Sequence, residues 1–154
     1  MVIPSNERKV IINKLYEWKD MPKRLIEIEE ELDSCKGDEN SYIRSKNKIG
    51  RSVENLAIRL AEHKEYNDIK KWRLCIDTCF AKYTGNSLKM KYITRKYVYN
   101  DTVYYKKKGY IVKDIEIYKD FELEGITKSE ITYKRMKNAI IEDVYKEAKL
   151  RKLI

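Results

Sequence analysis

The chain is poor in the residues that turn or staple a backbone. Its 154 residues include 5 glycines and 2 prolines, too few for the many tight turns of a sandwich or barrel. A single histidine, His63, and three cysteines, Cys35, Cys75 and Cys79, do not make a zinc set. The odd cysteine count and the lack of a signal peptide argue against a disulfide framework and lead us to expect a cytoplasmic protein. Cys75 and Cys79 stand four apart, on one helix face, and read as buried free thiols. No apolar run approaches the roughly 18–20 residues that span a bilayer, so no membrane partner is expected. The GxxxxGK[ST], HExxH and GxSxG motifs are all missing, and the acidic residues are dispersed. The chain therefore reads as a non-enzyme with no catalytic set, no metal and no cofactor. A nuclease built on carboxylates and lysine is the one enzyme class these absences leave open.

What the chain has in quantity is charge. Charged residues make up 38% and hydrophobic ones 42%, a balance that favours a helix-rich protein with a real core. The net charge of +9 is unevenly spread. Residues 1–80 hold 16 Lys and Arg against 15 Asp and Glu, whereas residues 81–154 hold 18 against 10. The positive field thus belongs to the C-terminal half and points to a polyanion such as double-stranded DNA.

Three regions follow along the chain: 1–50, 51–83 and 84–154. Ser5-Asn6-Glu7 looks like a helix start, with Val10, Ile11, Leu15 and Trp18 after it. Met21-Pro22 breaks that pattern and opens a second helix, with Leu25, Ile28 and Leu32 on one side and Glu27, Glu29, Glu30, Glu31 and Asp33 on the others. The two are expected to form an N-terminal helical hairpin, followed by a polar linker over 36–50. One long central helix is expected next. It runs from Val53, Leu56 and Leu60 through Tyr66, Ile69, Trp72, Ile76, Cys79 and Phe80 to Tyr83, with His63 on its surface. Its stripe fits an intramolecular core or a homodimer seam, and the core reading is favoured.

Thr84-Gly85-Asn86-Ser87 ends that helix, and Ser87 can cap a short one carrying Leu88, Tyr92, Arg95 and Lys96. From Val98 to Val112 β-favouring residues surround Lys106-Lys107-Lys108-Gly109. A small β-hairpin insertion with a basic tip and a helix–loop–helix both fit. Asp114 can cap the next helix, with Ile115, Ile117, Tyr118 and Phe121 as packing residues. Gly125 can supply the positive φ after it, and Thr127 or Ser129 can cap the last helix. With about 3.6 residues per turn, Ser129, Tyr133, Met136, Ile140 and Val144 share one face of that helix. Thr132, Lys134, Arg135 and Asn138 are then left to face outward, where such side chains reach base edges in a major groove. The pattern is helix, glycine turn, amphipathic helix: a C-terminal helix-turn-helix in a mainly α protein.

The run Ser129-Glu130-Ile131-Thr132-Tyr133-Lys134-Arg135-Met136-Lys137, followed by Ile140-Ile141 and Val144, resembles phage late-gene transcriptional activators of the RinA/ArpU type. Those carry an S-[DE]-x-T-x-x-R-[IM]-K core in a helix-turn-helix like that of sigma-factor region 4. Leu15-Tyr16 with the acidic helix after it, and Asn55 to Phe80, are similar to the family's earlier parts. The resemblance implies a sequence-specific DNA-binding activator of phage or prophage late or packaging genes, working with host RNA polymerase. It implies Ser129 as cap and phosphate contact, Thr132, Lys134, Arg135 and Asn138 as the recognition face, and Lys137 as a phosphate contact. The chain departs from the family between Tyr97 and Asp114, where Lys106, Lys107 and Lys108 read as an inserted DNA-contacting wing. Two other classes fit the same features: a small terminase-like packaging protein, which would form a ring, and a protein-interaction module with no DNA affinity.

Overall fold

The computed structural model describes residues 1–34, 48–85, 87–99 and 112–154. The expected linker over 36–50 falls mostly outside them, as do Cys35 and the Lys106–Lys108 segment. The described residues are mainly helical and contain no strand. None of their helices is long and apolar enough to cross a membrane. They fall into two compact units, one of Met1–Lys19 with Leu74–Ile154, the other of Asp20–Arg73.

The smaller unit holds α2 (Met21–Ser34), α3 (Lys48–Glu62) and the beginning of α4 (Lys64–Ala81). Pro22 lies in the first turn of α2, where its missing N–H leaves no bond unmade. Leu25, Ile28 and Tyr66 form the core, with Leu32, Leu60 and Ile69 packed against it. The acidic face of α2 is partly engaged. The Tyr66 hydroxyl donates to Glu29 (2.7 Å), and Arg24 forks onto Glu65 (2.8 and 3.1 Å). The Arg24 pair lies at the surface, where solvent screens it and leaves it little weight in stability.

The expected single central helix is two helices. His63 stands between α3 and α4, and its Nδ1 accepts the Tyr66 N–H (3.1 Å). The Asn67 amide donates to the carbonyls of Leu60, Ala61 and His63 (3.2, 2.8 and 2.9 Å). One side chain thus satisfies an open amide of α4 and another the open carbonyls of α3. The apolar spacing runs through this junction unbroken, which is why periodicity alone joined the two helices.

The larger unit carries α1 (Ser5–Glu17), the end of α4, α5 (Leu88–Ile93), α6 (Asp114–Leu123) and α7 (Glu130–Leu150). α1 begins where expected, but Pro4 sits at the cap position and no side chain caps the helix. Its buried Ile11 and Leu15 serve a core shared with α7, more than a hundred residues away, and α2 belongs to the other unit. The core of α1 is thus built with a helix distant in sequence. Cys75 and Cys79 are free and buried, donating toward the carbonyls of Val144 (4.0 Å) and Asp143 (3.3 Å). Burial pushes the Cys79 thiol up to about 11 and the Cys75 thiol to about 12, so both stay protonated.

Ser87 caps α5, its Oγ accepting the Met90 N–H (3.2 Å). α5 then widens into a π-helical turn, Thr94–Val98, closed by the Tyr99 N–H on the Thr94 carbonyl (2.9 Å). Val98, for which a β-hairpin and a helix–loop–helix both fitted, is thus in helical backbone; residues 100–111 lie outside the described residues. The wider turn places Lys96 and Tyr97 in succession on the inside, and both are buried.

Candidate nucleic-acid interface

The C-terminal pair of helices is set by two local devices. α6 ends at Gly125, with φ of 83°, a conformation costly for any residue with a Cβ. The Gly125 N–H reaches the Glu122 carbonyl (3.0 Å) and the Ile126 N–H reaches Phe121 (2.8 Å), the pairing of a Schellman stop. α7 starts at Ser129, whose Oγ accepts the Thr132 N–H (3.2 Å) and lies 2.8 Å from Thr132 Oγ1. Ser129 is therefore the cap, not Thr127.

An aromatic ladder fixes α6 against α7. Tyr133 stacks on Tyr118 (centroids 4.2 Å apart, planes at 8°) and lies 5.8 Å from Phe121. The Arg95 guanidinium covers Phe121 (4.6 Å) and pairs with Glu124 at the end of α6. Ile117 and Phe121 are buried, but Ile115, expected in the packing, is 59% exposed.

Asp114 does more than the helix cap it resembles. Lys113 holds the cap position, and its N–H donates to Glu116 (3.3 Å). The Asp114 carboxylate accepts from Tyr92 (2.9 Å), and also pairs with Lys96 (3.0 Å) and Lys137 (2.8 Å). Lys96 also donates to the Val112 carbonyl (2.6 Å). Burial pushes the Asp114 carboxyl up, but the hydrogen bonds from Lys137 and Lys96 outweigh it and hold the group below its ordinary value. One carboxylate thus ties together α5, the π turn, α6 and α7. The sequence contains all three partners but nothing that pairs them with Asp114.

The expected site residues separate accordingly. Thr132, Lys134, Arg135 and Asn138 are exposed on α7, as is Ser129 at its cap. Lys134 reaches back to Glu130 (3.4 Å), an exposed pair that a phosphate can easily displace. Lys137 is different: its half-buried side chain pairs with Asp114 (2.8 Å). Asn138 accepts a hydrogen bond from Arg8 of α1 (2.7 Å). Lys106, Lys107 and Lys108 lie outside the described residues.

No family model, curated protein or solved structure matches this chain.

The geometry alone defines what the surface can do. Next to the exposed face of α7 lies a groove of about 710 Å³, lined by Arg8, Lys119, Lys128, Lys134 and Lys137 against the acids Asp114, Glu122 and Glu130, along with Tyr118 and Asn138. Cations therefore come from three helices, α1, α6 and α7, and from the turn before α7. The surface can hold a polyanion through the cations and offer donors from Arg135, Lys134 and Asn138 to acceptor edges. Arg8, Lys119 and Tyr118 were not identified as site residues from sequence. Arg8 carried one usable signal: it stands three residues before Ile11 and seven before Leu15, on the same buried stripe.

Proposed function

We propose that this chain is a sequence-specific double-stranded DNA-binding transcription regulator, an activator of phage or prophage late genes that works with RNA polymerase. The observation that carries this reading is the C-terminal helix pair. A glycine-stopped α6 and a Ser129-capped α7 leave one face of the first two turns of α7 exposed, with Thr132, Lys134 and Arg135 on it. A helix of that diameter fits a major groove, and Arg is the side chain best suited to the N7 and O6 acceptors of guanine. The excess positive charge of the C-terminal half supports the same partner through counterion release. The resemblance of Ser129–Lys137 to the late-gene activators supports the regulatory role. Within this reading Ser129, Thr132, Lys134, Arg135 and Asn138 form the interface, and Lys137 braces it from behind.

Footprinting on the DNA flanking the gene, with solution mass measured in parallel, tests the reading. A protected site of defined sequence and a monomer or dimer are expected; a ring of many subunits would instead favour the packaging role. Arg135→Ala should weaken specific binding by about 1–3 kcal/mol and random DNA much less. Equal loss on both would make Arg135 a phosphate contact.

A further inference from the structure

The Arg8–Asn138 pair joins residues 130 positions apart in sequence, at the edge of the exposed face of α7. Arg8 is placed by packing, because it continues the Ile11–Leu15 stripe that buries α1. α1 is held to α7 again at the residue before Arg8, where Lys149 pairs with Glu7 (3.1 Å). The chemistry of the contact has a consequence for Asn138. A guanidinium has five N–H donors and no acceptor, so the atom of Asn138 facing it must be the carbonyl oxygen. The Asn138 NH₂ is then turned away from Arg8.

An unconstrained asparagine reads adenine with both ends of its amide, accepting from N6 and donating to N7. Here the oxygen end is occupied at 2.7 Å by a cation, whose remaining N–H groups also repel an approaching donor. The oxygen keeps a second lone pair, but the guanidinium beside it crowds that side, so the two side chains present mainly donors. Building on the DNA-reading role of α7, we propose that Arg8 is a positioning residue that sets base preference. By holding Asn138 Oδ1, it directs Asn138 to an acceptor-only edge, guanine N7 and O6, and away from adenine.

The test is selection from randomised duplexes with the full chain, comparing wild type, Arg8→Met, Arg8→Lys and Asn138→Ala. Wild type should prefer guanine over adenine at one position of its site on the order of tenfold. Arg8→Met keeps the packing stem, frees the carbonyl, and should bring adenine to parity or better there, with other positions unchanged. Arg8→Lys retains a donor and should keep guanine. Asn138→Ala should erase the preference and covers the case in which Arg8→Met fails to fold. A wild-type site whose Asn138-dependent position selects adenine, or an Arg8→Met profile that superimposes on wild type, overturns the proposal while leaving DNA reading intact. An Arg8→Met variant that weakens all sequences equally makes Arg8 a phosphate contact and also overturns it. A wild-type chain that enriches no sequence removes the DNA-reading role, and this proposal with it.

Discussion

The two halves of α7 are one continuous helix with opposite duties. From Glu130 to Asn138 only Tyr133 is buried, whereas from Ala139 to Leu150 the helix buries Ile140, Ile141, Val144 and Ala148. The second half is held by the cores of α1 and α4, including thiol contacts to its backbone carbonyls. The first half is held by local devices: the Ser129 cap, the tyrosine ladder and the Lys137–Asp114 pair. A helix anchored at one end and exposed at the other can present side chains rigidly without burying them. That is the arrangement a DNA reader needs.

Substitutions should separate the halves by size of effect. Ile140→Ala, at a fully buried site, should cost about 2–5 kcal/mol in chemical denaturation, because lost transfer energy and a cavity add. A cost below about 1 kcal/mol would show that the anchored half is not the anchor. Asp114→Asn should cost about 2 kcal/mol, less than a fully buried pair, since a quarter of the Asp114 side chain remains exposed.

The Asp114 pair also has a pH signature. The folded value lies below the ordinary 3.8, so its contribution is complete above that value and fades as pH falls through it toward the folded one. Stability of the wild type and of Asp114→Asn should therefore converge on acidification below about pH 4. A gap independent of pH would assign the loss to packing instead of charge.

Smaller effects belong to the exposed half. Ser129→Ala should cost about 1 kcal/mol, the usual worth of an N-cap. Arg135→Ala should change stability by no more than about 0.5 kcal/mol, although it is expected to lower specific DNA affinity. A large thermal shift from Arg135→Ala would place it in the framework and remove it from the proposed interface.

Legibility from sequence followed the range of the interactions. The starts of α5 and α7 and the end of α6 were readable because Ser87, Ser129 and Gly125 act within a few residues. The core side of α7 was readable for Tyr133, Ile140 and Val144, because helical period fixes a face; Met136 is only partly buried. The His63 junction was not readable, since a capping imidazole leaves hydrophobic spacing undisturbed. Asp114 illustrates the same limit. Its position before a helix suggested a cap, and only the approach of Lys96 and Lys137 gave its carboxylate a different role.

The sequence by itself determined a mainly helical chain, a basic C-terminal half, a capped amphipathic last helix and the identity of its outward side chains. These depend on composition, period and contacts within a turn or two. Tertiary structure decided the partners: α7 for α1, Asp114 for Lys137, and Arg8 for Asn138. Ion pairs and hydrogen bonds between distant residues leave no period in a sequence, because any lysine can meet any carboxylate until packing brings one pair together. Packing therefore paired Lys137 with Asp114, left Arg135 exposed, and brought Arg8 to the edge of the exposed face of α7.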